Sequence, residues 1–417
     1  MVVILFIWAV TGARCQGVTV NDMGEIGGEI FGRGGGYVHP FVSVSSNYTD
    51  NVYYDPDHAK ADFYTLFSPG ILVMVPGTKA YDPSAAVLSI STPGGLLFSK
   101  DLDGVERRFH GRLLMNADVE DYREYNDNDV TTSNVEGGVQ INLKGGLSLD
   151  MIYQHQAAYE DRSMDNTDGL SEYHVDMANG IIYYRLSEKM DFRLECRLFA
   201  IEYDRFLNQW NDRRDVVASG YAYYRLTPKT SFYIGYDHTD IRYDRSADKD
   251  SLEDDVMVGV RWYVSDKTRG SAAIGYGVKD FKDPAVSNST DVTTRFTLSN
   301  RLTGKSYINL TGYRRTSEAD VDGGQYSLTN SVMAGYFYKI HERISMTLHL
   351  SYTDDRYVFE TGGRKKDRSY GVTSAIGYSY NQWLVITLAY ALNDRDSSRE
   401  DADYLQHGVS AEIRAVL

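Results

Sequence analysis

The sequence predicts an all-β chain, a transmembrane antiparallel up-and-down β-barrel of about 18 strands, with 16 and 20 as the alternatives. Three observations predict it. Long segments alternate apolar and polar residues with period two. They recur in pairs at a spacing of roughly 37 to 44 residues, the range in which internal repeats are expected. The connections alternate strictly between very short and long acidic.

The alternation is plain in four segments. Phe192, Leu194, Cys196, Leu198 and Ala200 share one face, and Arg193, Glu195 and Arg197 the other. Val256, Val258, Val260, Trp262 and Val264 oppose Met257, Gly259, Arg261, Tyr263 and Ser265. Met346, Leu348, Leu350 and Tyr352 oppose Thr347, His349, Ser351 and Thr353. Leu384, Ile386, Leu388, Tyr390 and Leu392 oppose Thr387, Ala389, Ala391 and Asn393. In a soluble sandwich the apolar face would point to a core; in a membrane barrel it points to lipid and the polar face lines the lumen. The repeat length also suits propellers, but each propeller blade holds four short strands, whereas here each unit holds two long ones.

The repeat begins near residue 131. Tight turns fall at Lys144-Gly145-Gly146, Ser187-Glu188-Lys189, Thr227-Pro228-Lys229, Ser265-Asp266-Lys267, Thr303-Gly304-Lys305, Ile340-His341-Glu342 and Tyr380-Asn381-Gln382. Between them lie polar connections at 159–169, 208–215, 244–255, 280–291, 318–324, 360–369 and 393–403. Short periplasmic turns and long outer loops are the pattern of outer-membrane barrels. Counting from the last strand gives about 15 strands after residue 130, and an even total is expected of a bacterial barrel. The N-terminal region then adds three strands, or five if 84–101 forms a hairpin of the wall.

The 34 tyrosines support the same reading. Tyr184, Tyr224, Trp262, Tyr336, Tyr338, Tyr378 and Trp383 gather near the tight turns and would form one interfacial girdle, since Tyr and Trp favour the membrane–water boundary. Tyr203, Tyr236, Tyr243, Tyr276, Tyr313, Tyr352 and Tyr357 gather toward the loop ends and would form a second. Mean hydropathy is negative, which argues against membrane helices but suits a barrel, whose strands are apolar at alternate positions only.

The termini complete the organisation. The apolar run 2–10 followed by Thr11-Gly12-Ala13-Arg14-Cys15-Gln16 reads as a secretory signal over 1–15, without the basic n-region, as for a misplaced or truncated start. It is too short for a membrane helix, which needs about 20 apolar residues. Residues 16–37, with Gly34-Gly35-Gly36, read as a flexible periplasmic lead-in, and 38–417 as the barrel. The last strand alternates Val409, Ala411, Ile413, Ala415 and Leu417 with polar neighbours; barrels of this class usually end on an aromatic residue. Cys196 is left without an internal disulfide partner once Cys15 goes with the signal.

The most specific words lie at the start of the barrel. His39-Pro40-Phe41-Val42-Ser43-Val44-Ser45-Ser46-Asn47-Tyr48-Thr49-Asp50-Asn51-Val52-Tyr53 precedes Lys60-Ala61-Asp62-Phe63-Tyr64-Thr65-Leu66-Phe67-Ser68-Pro69-Gly70-Ile71. This resembles the outer-membrane β-barrel porin family found beside exopolysaccharide biosynthesis and export proteins. The resemblance covers 39–76; residues 77–106 depart from it, with Pro83, Pro93 and Gly94-Gly95 breaking the strands. It implies an outer-membrane barrel serving polysaccharide secretion and no catalytic residues.

The expected function is therefore a porin-like channel in a Gram-negative outer membrane for the passive diffusion or secretion of a hydrophilic solute, with polysaccharide as the solute the resemblance implies. A structural or adhesive barrel with a closed lumen is the alternative, and a hydrolase on the barrel rim comes third. No nucleophile elbow, zinc-binding His-Glu-x-x-His or phosphate loop is present, so the chain reads as no enzyme, with no cofactor and no metal. The net charge of −15 argues against nucleic acid. Expected partners are outer-membrane lipid and lipopolysaccharide, the barrel assembly machinery and polysaccharide export components. Asp127-Asn128-Asp129 and Asp354-Asp355 lack calcium-loop spacing and read as solvated loop charge.

The candidate pore-lining residues are Arg185, Arg193, Glu195, Arg197, Arg225, Arg261, Arg295 and Arg301. The seven arginines take the polar parity near tight turns. They would form a basic belt near the periplasmic mouth and attract anions or acidic sugars. The opposing reading pairs each with a lumenal carboxylate such as Glu195, leaving no net field; buried charges are seldom left unpaired.

Overall fold

The computed structural model describes residues 36–78, 89–99, 108–160 and 170–416, save 266, 320, 322, 360–362, 382 and 400–401. The signal-peptide and most of the lead-in assignments therefore lie outside the described residues. Twenty strands follow one another: β1 (Gly36–Thr49), β2 (Asp62–Thr78), β3 (Ser89–Thr92), β4 (Gly95–Ser99), β5 (Phe109–Tyr122), β6 (Val130–Asn142), β7 (Leu147–Glu160), β8 (Ser171–Arg185), β9 (Met190–Tyr203), β10 (Arg213–Thr227), β11 (Thr230–Tyr243), β12 (Ser251–Ser265), β13 (Thr268–Phe281), β14 (Ser289–Asn300), β15 (Ser306–Glu318), β16 (Gly324–His341), β17 (Ile344–Phe359), β18 (Arg364–Ser379), β19 (Leu384–Ser397) and β20 (Tyr404–Val416). Eighteen of them form one antiparallel sheet, and β3 with β4 forms a separate hairpin. The sheet closes: β1 pairs with β2 on one side and with β20 on the other, from Phe41 opposite Val416 to Thr49 opposite Gly408. The N-terminal region thus contributes three wall strands, because β2 pairs directly with β5 past the hairpin.

Side-chain burial shows which face looks where. Leu194 is 59% exposed, Leu388 60% and Met151 70%, and the exposed Val44, Val258 and Ile376 share their outward parity. Ser45, Asn47, Glu136, Asn179, Asp367 and Glu412 are buried on the inward parity. So much apolar surface on a water-facing exterior would be unusual for a monomer. Facing acyl chains it is the stable arrangement, and the strand ladder meets the backbone's hydrogen-bonding needs. No helix among the described residues is long and apolar enough to cross a membrane.

The short turns share one construction. Ser187 Oγ accepts the N–H of Lys189, Thr227 Oγ1 that of Lys229, Ser265 Oγ that of Lys267 and Thr303 Oγ1 that of Lys305, at 3.1–3.2 Å. A hydroxyl bonding the backbone two residues on is a local turn builder, so Ser or Thr followed two places later by Lys recurs for a conformational reason. In the last turn Asn381 Oδ1 accepts from Trp383 and Leu384.

The acid in the long loops has a structural use as well. Asp129 accepts the N–H of Tyr122, Asp212 that of Tyr203, Asp250 that of Tyr243 and Asp403 that of Ser397, at 2.6–2.8 Å. Three of these clasps enclose 3₁₀ turns, at Asn126–Asn128, Phe206–Asn211 and Ala247–Lys249. Asp127 accepts from Tyr53, Asp355 from Thr329, and Asp354 is paired with Arg356 and Lys366. The acid at 127–129 and 354–355 read as solvated charge is thus engaged in turns, hydrogen bonds and ion pairs.

Six girdle residues lie on the outward parity near the short turns, Tyr184, Tyr224, Tyr338 and Tyr378 exposed and Trp262 and Tyr336 half-buried, while Trp383 is exposed in the turn before β19. The expected outer band is corrected. Tyr236 and Tyr276 face outward, but Tyr203, Tyr243 and Tyr357 turn inward and are buried. Tyr203 donates to Glu160 and Tyr243 to Glu318, each at 2.7 Å. A phenol serves either setting, because its ring is apolar and its hydroxyl takes a lumenal carboxylate as readily as water.

Two outcomes are expected. Cys196, exposed between Leu194 and Leu198, should react in liposomes with an apolar maleimide and resist a charged, membrane-impermeant thiol reagent. Equal labelling by both would place this face in water. Replacing Asp250 with Ala should cost about 1 kcal/mol locally, seen as faster proteolysis within 244–250 while the barrel keeps its heat-modifiable mobility.

Candidate functional site

The site is the lumen, and its most informative feature is the hairpin. β2 ends and β5 begins at the short-turn mouth, where Phe109 pairs with Ile141 beside the β6–β7 turn. The hairpin they flank nevertheless meets residues of the long-loop end. The Arg213 guanidinium, at the start of β10, donates to the Pro93 carbonyl at 2.6 Å, and the Glu318 N–H, at the end of β15, donates to the Gly94 carbonyl at 3.3 Å. Arg213 faces inward and is 2% exposed. The hairpin lies between strands that end and begin at one mouth, yet its tip sits at the other end, against two strands five places apart in the sheet.

The tip seats on a buried ionic network. Lys279 Nζ lies 2.6 Å from Glu318 Oε1 and 3.6 Å from Glu253 Oε2; Arg213 Nε lies 3.3 Å from Asp215 Oδ2. The Arg213 guanidinium also lies over the rings of Phe199 and Tyr243, 5.4 and 5.8 Å from their centroids. Charges removed from water in this way are tolerable only when each has a partner, and loss of one partner is strongly felt. In the adjoining loop, burial pushes the Asp212 carboxyl up from its usual range. The Pro93-Gly94-Gly95 tip needs its glycine: Gly95 has φ +112°, a conformation open to glycine and rarely to other residues.

Beside the tip the inner wall is apolar. Tyr173, Val175, Phe199, Ile201 and Tyr203 pack together, with Val175 and Ile201 0% exposed, and Val175, Ile201 and Arg213 stand opposite one another in register. This is a correction to an all-polar lining. The sequence carried a signal for it, since Leu198-Phe199-Ala200-Ile201 is apolar on both parities, as in a strand covered on both faces.

Farther down, tyrosines and arginines interleave. The Tyr221 ring lies against Gly235 and the Tyr233 ring against Gly259, where an added Cβ would come within 2.6 and 2.4 Å of ring atoms. Arg193 lies over Tyr221 at 5.6 Å and Arg261 over Tyr223 at 4.5 Å, distances suited to cation–π attraction.

The arginines predicted from sequence distribute as follows. Arg193 lies 2.7 Å and Arg197 3.4 Å from Glu195. Arg225 lies 2.6 Å and Arg185 3.7 Å from Asp191. Arg295 sits mid-strand in β14, within Coulombic reach of Asp237. Arg301 lies in the β14–β15 turn, exposed on the rim. Four arginines thus share two carboxylates. Arg315, absent from the predicted set, lies within Coulombic reach of Glu253, Arg295 and Arg197. Its neighbour Arg314 in Arg314-Arg315 obscures the parity that would have found it.

Residues 107–416 match the family described as "Putative beta-barrel porin 2". The chain belongs to this β-barrel porin family. The match begins beyond residues 39–76, where the sequence resemblance was strongest. This porin-family barrel matches no curated protein. Among solved structures it is similar to OccK2 (OpdF) of Pseudomonas aeruginosa, with a TM-score of 0.46 and 7% identity over 91% of this chain and 98% of that one. It is also similar to OpdK of Pseudomonas aeruginosa, solved with vanillate, with 0.44 and 10% over 91% and 99%. The FrpB iron transporter of Neisseria meningitidis gives 0.45 and 11% over 91% and 81%.

If the tip closes the lumen, freeing it should open the channel. Arg213→Ala removes a charge-assisted hydrogen bond of about 1.5–3 kcal/mol, or one to two decades in the docked-to-released ratio. Single-channel conductance should rise in step, and a variant with 89–99 replaced by a short Gly-Ser link should reproduce the rise without touching the wall. Unchanged conductance in both would show that the tip obstructs nothing.

Proposed function

We propose that this barrel is an outer-membrane channel for a hydrophilic solute, held closed in the described state by the β3–β4 hairpin, and that the solute is a polysaccharide leaving the cell. The observation that carries the reading is a closed barrel, apolar outside and charged inside, with the tip of the β3–β4 hairpin bound to inward residues at its long-loop end. A barrel of about 18 strands is wide enough for an aqueous passage unless something fills it. An interior of arginine, carboxylate and tyrosine suits sugars, whose hydroxyls take hydrogen bonds and whose ring faces lie on aromatic rings. Membership of the porin family supports a channel. The polysaccharide follows from the sequence resemblance over 39–76.

One observation favours a closed structural barrel: Val175, Met177, Ile201 and Lys279 are inward yet essentially inaccessible. Conductance separates the two. The channel reading expects discrete ion conductance in planar bilayers, small for the parent and larger for the hairpin-deleted form. A cell lacking the chain should lose surface polysaccharide and retain it in the periplasm. Normal surface polysaccharide would remove the secretion reading and leave the channel standing.

A further inference from the structure

We infer that the short-turn mouth is a capture site for an acidic polysaccharide, which enters the barrel from that side. The inference rests on the channel reading above and goes beyond it by naming the charge of the solute and its direction. Six of the seven short turns joining β6 through β19 carry an exposed cation: Lys144, Lys189, Lys229, Lys267, Lys305 and Arg343. Turn geometry explains the Ser or Thr at the head of four of these turns, through the hydroxyl bonds described above. It does not explain the lysine, because only its backbone N–H takes part. Any residue with a normal amide would close the turn, yet a cation recurs on the outermost position.

The spacing places these cations together. Lys189, Lys229, Lys267 and Arg343 each follow a girdle aromatic by five residues: Tyr184, Tyr224, Trp262 and Tyr338. They therefore stand at one level, just beyond the interface, and ring the opening. Arg185 and Arg225 lie next inward on a single carboxylate, Asp191. Beyond them Arg193 lies over Tyr221 and Arg261 over Tyr223. Arginines thus continue from rim to lumen, two to each carboxylate at Asp191 and Glu195, and become interleaved with aromatic rings. Three of the same turns also carry an acid, Glu188, Asp266 and Glu342, so the six turn cations leave an excess of positive charge at a rim of a chain that carries −15 in all.

Such a gradient has a direction. A mouth at which one sign of charge is in excess concentrates the opposite sign and raises its rate of arrival. Guanidinium groups take carboxylates in paired hydrogen bonds, and the tyrosines beside them offer faces to pyranose rings. A polymer carrying both carboxylates and sugar rings uses both features. A neutral glycan uses only the second, and a simple polyanion only the first. In barrels of this architecture the short turns face the periplasm, so the basic end receives material from within the cell and the acidic end releases it.

The test uses the full chain in oriented planar bilayers, with oligogalacturonate as the probe. KCl conductance is recorded first. Oligogalacturonate added on the short-turn side should interrupt the current; added on the loop side it should not, and neutral dextran of equal length should be inert from both. A variant carrying Lys189→Glu, Lys229→Glu, Lys267→Glu and Lys305→Glu, its folding checked by heat-modifiable mobility, should be blocked at least tenfold less effectively. Equal block from both sides, equal block by dextran, or an unaffected variant would overturn the inference. Polyphosphate blocking as well as oligogalacturonate would overturn the sugar part. If the parent conducts no KCl at all, the channel reading fails. Capture is then judged by fluorescence anisotropy of labelled oligogalacturonate on the detergent-solubilised barrel. Binding that weakens with salt and is lost in the variant would sustain the capture site, and no binding by the parent would end it.

Discussion

In hydrocarbon no water is at hand to satisfy a strand's N–H and C=O groups, and each one left open costs several kcal/mol. The ladder must therefore close on itself, and here it closes between β1 and β20. Much else follows from that seam. An even strand number sends neighbouring strands in opposite directions and sorts the connections into two rims. Period-two alternation then commits every second side chain to lipid and every other one to the interior. The apolar row of β9, Leu194 to Leu198, and its charged row, Arg193 to Arg197, are two consequences of one pleat.

Closure also creates an interior that must be filled or wetted. Near the short turns it is filled by arginines sharing carboxylates and by tyrosines lying on glycines of the next strand. Near the long loops it holds the tip of the β3–β4 hairpin, part of the connection between β2 and β5. The tip of that connection is held by backbone carbonyls on Arg213 and the Glu318 amide, so its recognition depends on the fold of the Pro93-Gly94-Gly95 turn more than on side chains of the tip.

Much of the architecture was legible along the chain. The strand total, the separation of short turns from long loops and the outward apolar row all follow from local spacing, because each depends on residues two or about forty places apart. The corrections share a different character. Tyr203 and Tyr243 read as interfacial but turn inward, since their hydroxyls find Glu160 and Glu318 on other strands. The acid of the loops reads as solvated, yet Asp129 and Asp250 clasp their own turns through backbone groups that a residue count does not reveal.

What the sequence determined by itself was the barrel: alternation, turn chemistry and aromatic placement are properties of one strand and its neighbour, and lipid enforces them. What only the tertiary structure decided was the content of the barrel. Arg213, Glu318, Lys279 and Pro93 lie up to 225 positions apart in sequence and meet only because the wall is curved and closed. Whether an inward residue faces water, a partner or a hairpin tip depends on what stands across the lumen, and no period along the chain encodes a neighbour across a cavity.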